Sequence, residues 1–261
     1  MKKHNKLLSG IIAFPVALTS LNAFAGTDNN PDVTVGLGVQ ESAKYSGSDE
    51  QTYNVLPYLR IQNGNFYLDS EKGIGYEYMW DNGLYAGEAL GYSLGRTDSD
   101  DDWKEGSDKL KGMGKIKAVF NSTSTLGWKV NPYLTLEGNL IAPLTDSQGV
   151  QYNAGIKFKL LETPADTLEL SSKANFGDAR FLNTYYGVNS AQSAHSGYEK
   201  YSTGSGFYGY DAGLSWTHAF NESWWSYANV TYTQLTSKAK NSPIVKRADN
   251  TNVTVGVFYS F

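Results

Sequence analysis

Thr251-Asn252-Val253-Thr254-Val255-Gly256-Val257-Phe258-Tyr259-Ser260-Phe261 closes the chain on a two-residue alternation. Val253, Val255, Val257, Tyr259 and Phe261 share one parity, so extended backbone places them on one face. A water-facing strand rarely ends on an outward Phe preceded by an outward Tyr. The same alternation recurs upstream. Val33, Val35, Leu37 and Val39 alternate with Thr34, Gly36, Gly38 and Gln40. Val150, Tyr152, Ala154, Ile156, Phe158 and Leu160 alternate with Gln151, Asn153, Gly155, Lys157 and Lys159. Tyr208, Tyr210, Ala212, Leu214 and Trp216 alternate with Gly209, Asp211, Gly213 and Ser215. One parity meets lipid and the other water in a transmembrane barrel, whereas a soluble sandwich turns its apolar parity into a core.

Composition and the two ends decide between these. Mean hydropathy is −0.42, and beyond residue 25 no apolar run approaches the roughly 20 residues of a membrane helix. A helical membrane protein is excluded; a barrel is not, because alternation dilutes hydropathy. The 19 Tyr and 6 Trp suit aromatic girdles, and the 27 Gly suit a crowded, curved sheet. The last strand resembles the closing strand of outer-membrane barrels, whose terminal aromatic is read by the barrel-assembly machinery. Val257, Tyr259 and Phe261 are the candidate assembly signal. Deleting Phe261 is expected to lower the amount of protein assembled in the outer membrane, and normal levels on fractionation would refute that reading.

The N-terminus reads as an address. Lys2, Lys3 and Lys6 precede the mostly apolar stretch Leu7–Leu21, and Ala23-Phe24-Ala25 supplies a small-x-small cleavage pattern. Residues 1–25 are expected to be a cleaved signal peptide, with Gly26 the first residue of a single 26–261 barrel domain. The mature chain then carries 19 basic residues (22 less the three lysines) against 26 acidic, a net −7 with His neutral. That balance argues against nucleic acid as a partner. With no cysteine there is neither a disulfide nor a lipoprotein anchor.

Connections alternate in length. Short ones, at Asn63-Gly64-Asn65, Asp81-Asn82-Gly83, Val130-Asn131-Pro132, Thr163-Pro164-Ala165-Asp166 and Asn221-Glu222-Ser223, carry turn chemistry. Long ones run through Ala43–Thr52, Thr97–Gly112, Ala179–Gly206 and Thr236–Asp249, with a medium one at Thr145–Gly149. Outer-membrane barrels have short periplasmic turns and long outer loops, so the terminal strand ends in the periplasm and the long loops lie outside. The count is about twelve antiparallel strands, splitting Phe66–Trp80 near Glu71-Lys72-Gly73; about ten is the alternative.

Little looks catalytic. His195 lies in the longest loop and His218 near the periplasmic rim at lipid-facing parity, so neither a metal site nor a Ser-His pair assembles. Asp98-Ser99-Asp100-Asp101-Asp102 resembles the start of a calcium loop but has Trp103 at the turn glycine and Lys109 at the bidentate glutamate. It reads as a solvated acidic loop. Lys157, Lys159 and Lys173 share lumen parity and are expected to pair with Glu137 and Glu169. No cofactor, metal or catalytic residue is expected, and the chain is read as a non-enzyme.

Three loops carry a resemblance. After the first strand stand Tyr45, Gly47, Ser48 and Asp49; the longest loop holds Tyr186, Gly187, Val188, Gln192 and Ser193; and Ser242-Pro243 precedes the last strand. These segments, with Phe261, resemble the MipA/OmpV family of outer-membrane proteins over essentially the whole mature chain. Tyr186 stands where many members look to have Phe. The resemblance implies an outer-membrane barrel and no catalytic residues. In one branch it implies a scaffold joining a lytic transglycosylase to a penicillin-binding protein, and other members look like adhesins or immunogenic surface proteins. The expected function is therefore a scaffold or adaptor for peptidoglycan-remodelling enzymes. The alternatives are a narrow passive pore for small solutes, or an adhesin acting through its outer loops. Expected partners are outer-membrane lipid and the assembly machinery.

Overall fold

The computed structural model describes residues 31–101 and 104–261. The expected signal peptide, its cleavage residues Ala23, Ala25 and Gly26, and Trp103 lie outside the described residues. The strands, in chain order, are β1 Asp32–Ala43, β2 Gln51–Asn63, β3 Phe66–Asp69, β4 Gly73–Met79, β5 Leu84–Ser93, β6 Arg96–Thr97, β7 Glu105–Gly106, β8 Val119–Asn131, β9 Leu134–Pro143, β10 Gln151–Glu162, β11 Asp166–Gly177, β12 Gly206–Ala219, β13 Trp224–Leu235 and β14 Asp249–Ser260. Twelve of them close into one barrel, each antiparallel to its neighbours, with β14 sealing against β1. The two-residue strands β6 and β7 pair with each other outside the barrel. Closure satisfies every strand through a neighbour, which is what a hydrocarbon surrounding demands.

The seam runs from Thr34 opposite Ser260 to Glu41 opposite Val253. Val35, Leu37, Val39, Val253, Val255 and Val257 are exposed on the outside, while Gln40, Thr254 and Phe258 are buried on the inside. The alternation read from the sequence thus assigns the two surfaces of the wall. Gly36 is required there: a Cβ on it would lie 2.3 Å from Phe258 Cδ1, so the inward phenyl ring lies over the glycine backbone.

The expected split of Phe66–Trp80 occurs, at Ser70–Lys72, but β3 has only four residues. β2 pairs with β3 only through Arg60–Asn63, so its outer half has a ladder partner only in β1. The Leu59 carbonyl accepts from Ser70 N at 2.9 Å on the β3 side. Pro57, two residues earlier, points the same way, and the N–H it lacks is one this edge does not use.

A carboxylate stands on the outer wall of β5. Glu88 is exposed, opposite Ser124, on a ladder running from Leu84–Trp128 to Tyr92–Phe120. Both its oxygens accept from serines of β8, Ser124 Oγ at 2.6 Å and Ser122 Oγ. Midway between aromatic rungs, a carboxylate faces the apolar band, and among the described residues these hydroxyls are its hydrogen-bond donors. Glu88→Leu should therefore stabilise the barrel by about 1 kcal/mol, below the cost of a midplane Arg or Lys. Urea unfolding in lipid vesicles would show a higher midpoint; a lower one would contradict this placement.

Candidate functional site

Two regions hold the residues that face inward or upward: the lumen and the cap built by the outer loops. In the lumen, Lys157 Nζ lies 3.3 Å from Glu137 Oε2, which also accepts from Tyr85 OH at 2.7 Å. Lys173 lies 3.1 Å from Asp211, whose oxygens also accept from Asn175 and Thr233. Arg60 pairs with Asp69 at 2.9 Å, and Tyr58 donates to the same carboxylate. The pairing expected within Lys157, Lys159, Lys173, Glu137 and Glu169 holds only for Lys157 with Glu137. Lys173 takes Asp211, which cross-strand register brings opposite it, whereas Lys159 turns along its own strand to Glu162 although Glu169 stands opposite it. A sequence parity states which face a side chain occupies but not which rung.

The lumen wall is uneven. On β2, β14 and β13, Tyr58, Phe258, Trp225 and Tyr227 form one buried cluster. Phe258 stacks on Trp225 at 4.1 Å and meets Tyr58 edge-on at 5.3 Å. Across the barrel, β8, β9 and β10 present polar and charged groups instead, including Lys157 and Glu137. Aromatic bulk thus fills the lumen from one side, and the other side is polar.

The outer loops interlock. The longest carries α1 (Ala179–Tyr185) and α2 (Ser190–Ser196), and α3 (Ser237–Lys240) stands between β13 and β14. These helices were not expected from the sequence. The signal was present: Asn189 and Gln192 form a reciprocal capping box, and Gly197 ends α2 at φ 79°. The three loop motifs converge here. Tyr45 is buried and donates to Ile244 O at 2.9 Å. Gly47 has φ 96°, and a Cβ on it would lie 2.7 Å from Val245; its carbonyl accepts from Lys246 N and Arg247 N. Ser48 is fully buried and caps Glu50 N, while Asp49 pairs with Lys109 at 2.6 Å. Lys109 holds the Asp49 carboxyl below the usual carboxylate range, chiefly through that hydrogen bond.

Tyr186 joins all three segments. Its hydroxyl lies 2.8 Å from Ser46 Oγ, its carbonyl accepts from Ser242 Oγ at 2.5 Å, and its ring packs with Phe181, Leu182, Tyr208, Leu235 and Ala239. Gly187 packs closely on the Asn183 backbone, Val188 is buried and bridged to Tyr201, and Gln192 donates to Met113 O at 2.8 Å. Ser193 contributes a backbone carbonyl to the Gly197 cap, and Pro243 lies between buried Ser242 and Ile244. Burial pushes the phenols of Tyr45 and Tyr186 up, so both serve as neutral hydrogen-bonding groups. Asp100, in the acidic loop, is tied to Lys44 at 2.8 Å rather than simply solvated. No cluster of metal-ligating side chains occurs among the described residues.

Val257, Tyr259 and Phe261 lie on the outer face toward the end opposite the cap, where Tyr259 contacts both Trp224 and Phe261 edge-on. Phe261 N also donates to Val33 O across the seam. His218 is bound to Asp166 at 2.8 Å beside Trp216 and Phe220. Beside the cap, a cleft of about 920 Å³ opens between the β5–β8, β9–β10 and β11–β12 loops. Its basic residues were not singled out in the sequence, because they are scattered from position 96 to position 200.

The family model described as MltA-interacting protein MipA matches residues 35–261. The chain belongs to the MipA family. Family membership and the barrel make it an outer-membrane protein, as expected from its strands and ends. No curated protein sequence matches it. Among solved structures it is similar to an outer-membrane channel from Pseudomonas putida F1, at 9% identity and a TM-score of 0.52, over 90% of this chain and 97% of that one. It is also similar to the translocator domain of the autotransporter NalP from Neisseria meningitidis, at 14% identity and a TM-score of 0.43, over 91% and 90% of the two chains. At these identities the first likeness concerns the barrel alone.

Proposed function

We propose that this MipA-family barrel is a narrow, capped channel for small polar solutes, without enzymatic chemistry of its own. One observation carries the reading. Lys157, Glu137, Lys173 and Asp211 are ion-paired on the inner wall yet keep between 17% and 32% of their side-chain surface accessible. Inward side chains of a barrel gain such exposure only from water-sized space in the lumen. Each carboxylate is already held by a cation, so the pairs line a path rather than serve as acid or base. In planar bilayers the purified protein should give small, steady openings. Lys157→Gln with Lys173→Gln should shift selectivity toward cations, because Glu137 and Asp211 lose their counter-ions. A silent membrane would reject the channel.

The family's description as MltA-interacting protein supports a second reading, an adaptor, for which the resemblance read in the sequence implies a lytic transglycosylase and a penicillin-binding protein as partners. The periplasmic face offers little for it: the connections there, such as Gly64–Asn65 and Pro132–Tyr133, are short. A standard interface needs roughly 800 Å² per partner. Capture of both enzymes from detergent extracts, above the level seen with an unrelated barrel, would support the adaptor.

A further inference from the structure

We propose that the outer cleft is a binding site for a polyanionic, hydroxyl-rich molecule: a sugar or polyol carrying at least two phosphate or carboxylate groups. The first ground is charge. Arg96, Lys115, Lys117, Arg180 and Lys200 line the cleft, against the single carboxylate of Asp146, which stands 4.0 Å from Lys117 Nζ. The whole chain has a net charge of −4, so this excess is a product of folding, not composition. Two loops far apart in sequence supply the five cations, and like charges gathered this way repel unless an anion joins them.

The second ground is a buried donor. Arg96 is only 3% exposed. Its Nη1 donates to Tyr185 O at 2.7 Å, but its Nε–H finds no acceptor among the described residues. Glu105, opposite Arg96 on β7, offsets part of its charge, but the unpaired donor stays costly, and an oxyanion bound against this part of the wall and reaching Nε would relieve that cost.

The third ground is size. About 920 Å³ falls at the upper end of ligand pockets, too large for one inorganic anion to fill. Thr184 and Ser202 line the cleft as well, and their hydroxyls match a polyol scaffold. Gly187, Val188 and Gln192 form part of the same wall, so the interlocked loop motif also shapes the cleft. Binding here does not depend on conduction through the lumen.

Two sources offer this chemistry, a free solute and the phosphorylated headgroup of an outer-leaflet glycolipid. Isothermal titration of the intact detergent-solubilised barrel with fructose 1,6-bisphosphate, with fructose as the neutral control, tests the first. Nanodiscs containing lipid A or its dephosphorylated form test the second. Arg180→Gln with Lys200→Gln should weaken binding roughly tenfold or more, and Lys240→Gln, outside the cleft, should not. An electrophoretic mobility that changes on boiling, as expected of a closed barrel that resists detergent until heated, would show that each variant is folded. Binding of either phosphorylated compound, lost in the double variant and weakened by salt, supports the site and identifies its source. If neither binds better than its unphosphorylated counterpart, or the double variant keeps wild-type affinity, the proposal is wrong.

Discussion

Tyr186→Ala should open the outer cap while leaving the barrel closed. The side chain is 2% exposed and sits among Phe181, Leu182, Tyr208, Leu235 and Ala239, so truncation creates a cavity where three loops meet. Loss of a buried aromatic ring costs about 3–5 kcal/mol, a large share of what can hold loops outside a sheet. Tyr186→Phe removes only the contact with Ser46 and should cost about 1 kcal/mol. Protease added to intact cells should cleave the alanine variant within residues 190–205 much faster than wild type, with the phenylalanine variant close to wild type. The strands should resist throughout, because their hydrogen bonds do not pass through the cap. Equal cleavage of all three proteins would mean that Tyr186 does not hold the loops together.

Single-cysteine labelling should divide the connections into two sets with no intermediate. Ser99 and Ser205, exposed at the end that bears the cap, should react on intact cells with a membrane-impermeant thiol reagent. Asp81 and Glu222, exposed in short turns at the other end, should react only once the outer membrane is opened. They are better sites than Asn82 and Asn221, whose side chains accept from Leu84 N and from Ser223 N and Trp224 N. Asn131 has the same defect, since it accepts from Tyr133 N and Leu134 N. Because the chain has no native cysteine, every signal belongs to the introduced site. Labelling of the short turns alone on intact cells would invert the topology. It would also turn the capped cleft toward the periplasm, where a murein-directed adaptor would need it.

Glu88 and Pro57 show where local reading gives out. The sequence places Glu88 at the parity of Leu84, Leu90 and Tyr92, but not beside Ser122 and Ser124, more than 30 residues away. Pro57 looks misplaced in a strand until β3 proves too short to pair with that part of β2. The short β3 itself was legible from the Glu71-Lys72-Gly73 break.

By itself, the sequence determined the barrel and the surface each strand residue faces, and it narrowed the count to about twelve strands with about ten as the alternative. Those properties follow from a period of two, from turn chemistry and from the alternation of short and long connections, all local along the chain. The tertiary structure alone decided which rungs meet, as with Lys173 and Asp211, and how Tyr45, Tyr186 and Ser242 lock together. It also gathered Arg96, Lys115, Lys117, Arg180 and Lys200 around one cleft. Such pairings depend on strand stagger and on the packing of loops separated by tens of residues, and neither leaves a periodic trace in sequence.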